Sequence, residues 1–168
     1  MDSVNSVVLL LFMNTIQTTT LTTTQKEQIL SLWNSVSPAI ISHDTIGSLE
    51  GYLKTLNNAI YTLTLDDQET IVGWFADFDR DGARWFAMLL DASVQGKGIG
   101  SSLLTMAKKR HGILNGWVVD HANDVRLDGN PYKSPVSFYL KNGFEIVPDV
   151  RLELDYLSCV KMRWCKGK

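Results

Sequence analysis

Three alternating glycines, Gly96, Gly98 and Gly100, stand between an apolar run and a helix-forming segment in LLDASVQGKGIGSSLLTMAKKR. This pattern predicts a turn from a strand into a helix. The first amides of a helix have no intrahelical partner and carry partial positive charge, and glycines let a ligand approach them. The loop therefore predicts a site for phosphate or pyrophosphate, to which Ser101 and Ser102 could add hydroxyl donors. The alternative is a turn that needs glycine only for tight packing.

Two other phosphate loops fit this stretch less well. A Walker loop needs a glycine five residues before Gly96, where Asp91 stands, and Ser or Thr directly after Lys97, where Gly98 stands. A dinucleotide fingerprint needs Gly or Ala at position 101, which is serine. Asp120 stands about twenty residues beyond the loop, where a ribose-binding acid would be, so a nicotinamide-dinucleotide oxidoreductase remains an alternative.

Composition limits the class of protein. A chain of 168 residues with 45% hydrophobic content predicts one domain over residues 1–168. A net charge of -2 and a pI of about 5.9 exclude a broad basic field, so nucleic acid is not expected as a partner. The basic run 108–110 complements the dipole of a helix end.

The cysteines and the N-terminus indicate the compartment. Cys159 and Cys165 lie too far apart on one predicted strand to form a disulfide, which fits a reducing cytoplasm. The apolar run 7–13 follows Asp2 rather than a basic residue and is too short to span a bilayer. It predicts a buried strand, and no membrane association is expected.

Two helices are predicted before most of the strands. Thr24 and Glu27 form a capping-box pattern at the start of a helix that runs to Ser37. The spacing of Leu49, Leu53 and Leu56 predicts the second helix.

From Ala59 the pattern changes to strands. AIYTLTL, TIVGWFADF and ARWFAMLL, separated by Asp/Gly-rich turns, predict an antiparallel meander that leads into the glycine loop. A helix from Gly100 to His111, with Gly112 as its C-cap, a strand LNGWVVDHA, a short helix SPVSFYLKNG and two further strands follow. The predicted fold class is α/β (α+β), with a mixed, mostly antiparallel central sheet flanked by helices.

QGKGIG, residues 95–100, resembles the acetyl-CoA pyrophosphate loop of the GNAT superfamily of N-acetyltransferases. SPVSFYLKNGFEI, residues 134–146, looks like the downstream family motif, in which a short helix carries an aromatic pair and ends at Gly-Phe. The two motifs have the family's order and separation, and the predicted elements match from about residue 7 to the end.

The resemblance implies acetyl-CoA as co-substrate, lying between the strand that ends near Leu90 and the strand around residues 117–121. The implied cofactor contacts are Leu90, Ala92, Val94, Gln95, Gly96, Lys97, Gly98, Ile99, Gly100, Ser101 and Asn130. The family often has proline where this chain has Ala92, and asparagine where this chain has Tyr132. Asparagine occurs here two residues earlier, at Asn130. Asp at Gly98 or Gly100 is expected to abolish CoA binding with folding retained.

The same resemblance implies a mechanism. An amine attacks the thioester directly, strand amides near residues 89–92 polarise the carbonyl, and Tyr139 protonates the thiolate. His121, Asp120 and Asp91 are candidates for the base, and a water chain is the alternative. On a strand Asp120 and His121 would point to opposite faces, and His121 has the more suitable ordinary pKa. No metal is expected.

The acceptor is expected to be a small-molecule or peptide amine, and the protein a monomer or homodimer. The resemblance implies that the first two helices and the last strands shape the pocket for the acceptor. The candidate residues in these parts of the chain are Trp33, His43, Asp44, Tyr52, Trp74 and Trp164. Aromatic and acidic groups suit a cationic amine, but core or surface roles are the alternative. A non-catalytic acyl-CoA-binding module would retain the glycine loop without acetyl transfer.

Overall fold

The computed structural model describes residues 13–168, so the strand predicted over 7–13 lies outside the described residues apart from Met13. The elements are β1 (Asn14–Thr18), α1 (Thr23–Val36), α2 (Ile46–Leu53), β2 (Asn57–Leu65), β3 (Ile71–Arg80), β4 (Ala83–Leu90), α3 (Ile99–Arg110), β5 (Ile113–Val118), α4 (Val136–Lys141), β6 (Glu145–Leu154) and β7 (Leu157–Cys165). Single 3₁₀ turns lie at Ala39–Ile41 and Ala92–Val94.

Within residues 13–168, the strands form one seven-stranded sheet in the order β1-β2-β3-β4-β5-β7-β6. Strands β4 and β5 are parallel, and all other neighbours are antiparallel. The predicted meander β2-β3-β4 and the mixed, mostly antiparallel sheet are therefore confirmed.

Helices cover both faces of the sheet. Successive side chains of a strand point to opposite faces, and on β3 the adjacent Trp74 and Phe75 are both fully buried. Trp74 packs with α1 and α2, whereas Phe75 packs with α3 and α4. The alternation explains why β3 is apolar almost throughout.

Helix α1 begins earlier than its sequence pattern predicts. Thr22 Oγ1 accepts a hydrogen bond from the amide of Gln25 at 3.2 Å, and Gln25 Oε1 accepts one from the amide of Thr22 at 2.9 Å. The capping box is thus Thr22–Gln25, and the predicted Thr24–Glu27 box is wrong. Six threonines in this segment offered several candidate caps, and the structure places the cap at Thr22, with φ of −71° and ψ of 164°.

A buried carboxylate anchors the C-terminal end of α3. Asp77 is fully buried, and its oxygens accept hydrogen bonds from Arg84 and Arg110 and lie 2.7 Å from His111 Nε2. His111, held in extended conformation, is the C-cap of α3, so the predicted cap at Gly112 is wrong. Burial of such a charge is tolerated because it is paired and hydrogen-bonded.

Both cysteines lie on β7 as unpaired thiols, as their spacing predicted. Within residues 13–168, no helix is long and apolar enough to cross a membrane.

Candidate active site

Strands β4 and β5 separate at the centre of the sheet. Among the described residues a single pair, Trp85 and Asn115, joins these two parallel strands. Asn115 Nδ2 also donates to the carbonyl of Arg84 at 3.1 Å. Beyond this point the strands run to Leu90 and Val118 without pairing, so a cleft opens between their C-terminal ends. The predicted opening between these strands is present.

Backbone amides of β4 face this cleft. The amide of Asp91 donates to the carbonyl of Val72 beside it, at 2.8 Å. Hydrogen-bonding directions alternate along an antiparallel strand, so the amides of Met88 and Leu90 point to the opposite edge, toward β5. Within the predicted stretch 89–92, the amide of Asp91 is therefore occupied, and that of Leu90 faces the cleft.

The glycine loop continues from the end of β4. Gln95 Nε2 donates to the carbonyl of Leu90 at 2.9 Å, which ties the loop to the strand. Gly96 and Gly98 have φ of +73° and +81°, and a Cβ on either would meet no atom within 4 Å. These glycines are needed for their left-handed backbone, and the space above them is open.

The N-terminus of α3 has no side-chain cap, unlike those of α1 and α2. Thr22 and Thr45 cap the other two helices through their hydroxyls, whereas the α3 cap is Gly98, which has no side chain. The amide of Ser102 is bonded to the carbonyl of Gly98 at 3.0 Å. The amides of Ile99, Gly100 and Ser101 come before it. The first amides of a helix have no hydrogen-bond partner within the helix.

Gly100 has a different role from the other two glycines. A Cβ there would lie 2.8 Å from Phe138 Cζ and 3.1 Å from Leu90 Cδ1. Glycine suits this position because α3 packs directly against α4. We therefore expect Asp at Gly100 to lower the stability of the fold as well as to affect CoA binding, and the outcomes for both Gly98 and Gly100 stay predictions.

The remaining predicted cofactor contacts differ in exposure. Val94 and Ile99 are buried in the core, so only their backbones are available to a ligand. Ala92 is exposed, and Lys97 and Ser101 are half-buried. Asn130 is exposed, and its side chain bonds to Asp128 of the same loop at 3.0 Å. Contact of these residues with a cofactor remains a prediction.

Tyr139 lies on α4 within an aromatic group. Its ring centroid is 5.8 Å from that of Phe86, 5.1 Å from that of Phe138 and 5.6 Å from that of Phe144. The residue is 6% exposed. Burial, with a smaller contribution from Tyr132, raises the pKa of its phenol far above the ordinary value. The hydroxyl therefore keeps its proton at neutral pH.

Tyr132, where the family often has asparagine, lies in the segment between β5 and α4. Its amide donates to the carbonyl of Asp124 at 2.9 Å. Burial, then the neighbouring Cys159 and Asp124, raise the pKa of its phenol to about 12. Tyr132 in turn makes a small contribution to the raised pKa of Tyr139.

Two of the three predicted base candidates, Asp120 and His121, lie beyond the end of β5, and the third, Asp91, caps the turn after β4. Since β5 ends at Val118, the expectation that Asp120 and His121 point to opposite faces of a strand is wrong. His121 Nδ1 accepts a hydrogen bond from the amide of Asn123 at 3.2 Å. Asp120 forms a two-point pair with Arg151, at 2.8 and 3.0 Å, which lowers the pKa of its carboxyl.

A cavity of about 480 Å³ opens beside this loop, toward the β6–β7 hairpin. Its lining residues are Asp120, His121, Asn123, Asp124, Arg151, Leu154, Asp155, Tyr156, Leu157 and Ser158. Of these, the sequence had pointed to Asp120 and His121 alone. The others lie on a loop and a hairpin that no motif marks.

The aromatic residues considered for the acceptor pocket lie elsewhere. Trp33 packs against His43, Tyr52 and Trp74 with ring centroids 4.8 to 6.0 Å apart, beneath α1 and α2. Trp164 packs on the other face of the sheet, near the ammonium of Lys108. These residues do not line the cavity beside the loop after β5, and a role for them in an acceptor pocket stays a prediction.

Comparisons with known proteins agree with this architecture. The family model described as an acetyltransferase (GNAT) domain matches residues 57–146, more than half of the chain. The chain therefore belongs to the GNAT acetyltransferase domain family. No curated protein matches the sequence.

Several solved structures share the fold. A phosphinothricin acetyltransferase from Sinorhizobium meliloti in complex with acetyl-CoA is 15% identical, with a TM-score of 0.63 over 92% of this chain and 88% of that chain. A spermidine N-acetyltransferase from Vibrio cholerae in complex with CoA and spermine is 16% identical, with a TM-score of 0.63 over 94% and 97%. A GNAT-family acetyltransferase from Staphylococcus aureus Mu50 is 16% identical, with a TM-score of 0.64 over 91% and 98%.

The recognition of the family from QGKGIG and SPVSFYLKNGFEI is thus confirmed, as is the fold class. In the part of the chain that the structure describes, no three His, Cys, Asp or Glu side chains are grouped to hold a metal ion.

Proposed function

We propose that the protein transfers the acetyl group of acetyl-CoA to a primary amine by direct attack within a ternary complex. One observation carries this proposal. Strands β4 and β5 separate beyond Trp85 and Asn115, an uncapped helix N-terminus follows β4, and Tyr139 of α4 packs against Phe86 of β4. The proposed phosphate-binding end and the proposed proton donor would thus flank the same opening.

The glycine loop is the proposed binding site for the pyrophosphate. Left-handed Gly96 and Gly98, with open space above them, suit close approach of phosphate oxygens to the loop amides and the first turn of α3. The half-buried Lys97 lies between them and could contribute charge. Val94, Ile99 and Gly100 would contribute backbone groups alone.

The edge of β4 is the proposed electrophilic element. The amides of Met88 and Leu90 point into the cleft, where they could bind the pantetheine arm and polarise the thioester carbonyl. Such donors cost no reorganisation during the reaction because the sheet already fixes them. Positioning the two reactants supplies the rest of the rate enhancement.

Tyr139 is the proposed general acid. Its hydroxyl is protonated at neutral pH, as a donor to a departing thiolate must be. His121 is the base candidate that the sequence provides, and it lines the cavity on the acceptor side. The acceptor would enter from that cavity, and the spermidine N-acetyltransferase of the same fold supports a small amine as the substrate class.

The proposal is tested by mixing the purified protein with acetyl-CoA and a panel of primary amines, and by measuring free thiol with a chromogenic disulfide reagent. We expect amine-dependent release of CoA and an acetylated amine detectable by mass spectrometry. Saturable binding of acetyl-CoA without turnover of any amine would instead indicate a non-catalytic acyl-CoA-binding module. Absence of binding would contradict both functions.

A further inference from the structure

Arg84, near the start of β4, uses its whole guanidinium group within the fold. Its N–H groups donate five hydrogen bonds, at 2.7 to 3.1 Å, to Asp77, Asp79 and the carbonyl of Asn58. An arginine has five N–H donors, so none is left over. Three of the five bonds go to Asp77, two to its carboxylate and one to its carbonyl. Arg84 therefore fixes the carboxylate of Asp77 in one orientation.

The same carboxylate binds the C-terminal end of α3. Asp77 is fully buried, Arg110 Nη2 donates to its Oδ2 at 2.7 Å, and His111 Nε2 lies 2.7 Å from its Oδ1. Helix α3 begins at Ile99, directly after the glycine loop, and ends at Arg110. Asp77 thus ties the helix of the proposed pyrophosphate site to β3 and β4.

Arg84 is also bonded at the point where β4 and β5 separate. Its carbonyl accepts a hydrogen bond from Asn115 Nδ2 at 3.1 Å, and Asn115 pairs with Trp85 across the two strands. Asn115 is 2% exposed, and its Oδ1 has no hydrogen-bond partner among the residues that the structure describes. An unpaired buried oxygen costs free energy, so stability alone does not favour asparagine at this position.

These contacts form one continuous path between the two parts of the proposed cofactor site. The path runs from α3 through Asp77 and Arg84 to Asn115, at the base of the opening between β4 and β5. Apolar side chains of similar size often stabilise a fold as well as a buried ion pair does. Apolar contacts are not directional, however, whereas hydrogen bonds favour a narrow range of distances and angles. The network is therefore suited to fixing the angle between α3 and the opening.

We propose that Asp77 is a positioning residue, which holds α3 at the angle that lets one acetyl-CoA molecule reach both the glycine loop and the opening between β4 and β5. This inference rests on the proposed acetyl transfer. A helix of 12 residues is about 18 Å long, so a tilt of about 5° at the Asp77 end would move the glycine-loop end by about 1.5 Å. A ligand that must bind at both places loses affinity when their separation no longer matches its length.

The test compares acetyl-CoA with 3′-phosphoadenosine 5′-diphosphate, which carries the nucleotide and diphosphate of CoA but no pantetheine arm. Calorimetric titration measures both ligands with the wild-type protein and with Arg110→Met, which removes one contact of Asp77 and leaves Arg84 in place. We expect the variant to bind acetyl-CoA about tenfold more weakly with the affinity for the fragment unchanged, because only the longer ligand must bridge α3 and the strands. Wild-type affinity for acetyl-CoA, or an equal loss for both ligands, would overturn the inference.

Further variants separate positioning from stability, with urea unfolding to verify that each is folded. Arg110→Lys retains a cation beside Asp77 and should recover most of the acetyl-CoA affinity that Arg110→Met loses. Asp77→Asn should weaken acetyl-CoA binding at least about tenfold. The matched control is Asp79→Asn, since Asp79 is a half-exposed partner of the same arginine whose hydrogen bonds go to Arg84 and Asn58, not to α3.

The control should bind acetyl-CoA with wild-type affinity. Equal weakening in Asp79→Asn and Asp77→Asn would overturn the assignment, because the loss would then not depend on the contact with α3. Failure of the wild-type protein to bind acetyl-CoA would instead overturn the proposed function.

Discussion

The two sides of the proposed site are built differently. On the cofactor side the available groups belong to the backbone: the amides of Met88 and Leu90, the left-handed Gly96 and Gly98, and the uncapped start of α3. On the proposed acceptor side they are side chains, such as His121 and Arg151, from a loop and a hairpin.

This difference separates what the family shares from what each member can vary. Backbone groups bind a common ligand through geometry, so the requirement on sequence is for glycines and for a strand that leads into a helix. Side chains on loops can change without altering the sheet, so they can adapt to different acceptors. Perturbing each side should therefore affect different kinetic constants.

The largest effect is expected at Tyr139, where the two sides meet. Tyr139→Phe should lower kcat by about a hundredfold to ten-thousandfold, with acetyl-CoA affinity unchanged, because the variant lacks the acid that protonates the thiolate. The control is Tyr52→Phe, which removes a hydroxyl beneath α1 and α2. Unchanged kcat in Tyr139→Phe would indicate a purely packing role for this tyrosine.

Next in size is the packing effect at Gly100. Gly100→Ala should lower the free energy of unfolding by about 1–3 kcal/mol, because its Cβ would overlap Phe138. Gly51→Ala, in helix α2 with nothing within 4 Å, should instead raise it by about 0.5–1 kcal/mol. Urea unfolding of both variants measures the contrast, and equal stabilities would contradict the close approach of α3 and α4.

A smaller change is expected for charge at the glycine loop. Gly98→Asp should weaken acetyl-CoA binding about tenfold more than Gly98→Asn, because both residues tolerate the left-handed backbone but only aspartate repels an anion. Gly82→Asp places the same charge at another left-handed, open glycine and should leave binding unchanged. Calorimetric titration gives the three affinities, and equal weakening by Asp and Asn would argue against an anion site.

The smallest effect concerns pH and the acceptor side. Arg151 lowers the pKa of the Asp120 carboxyl in the folded protein. In the unfolded chain that pKa is about 3.9, so the pair stabilises the folded state fully above this pH. The contribution is lost as pH falls through the lower pKa of the folded protein. Because the pair is partly exposed, it is worth about 0.2–1 kcal/mol. Between pH 7 and pH 3, Asp120→Asn should therefore lose slightly less stability than the wild-type protein in urea unfolding. An identical loss would show that the pair contributes nothing.

The same division explains what could be predicted from sequence. The meander, the glycine loop and the order of elements follow from local periodicity and turn residues, which the chain displays directly. The distinct role of Gly100 could not be predicted, because it depends on Phe138, which is distant in sequence. The cavity residues Arg151 and Ser158 were missed for a similar reason: they lie on β6 and β7, distant in sequence from the loop that they face.

The central claim is that the cleft and glycine loop bind acetyl-CoA, and isothermal titration of the wild-type protein tests it most directly. NADH and ATP serve as comparison ligands, because both contain phosphates that an unspecific anion site would also accept. We predict saturable binding of acetyl-CoA near one molecule per chain, with no saturable binding of the other two. Binding of NADH alone, or of none of the three, would contradict the account.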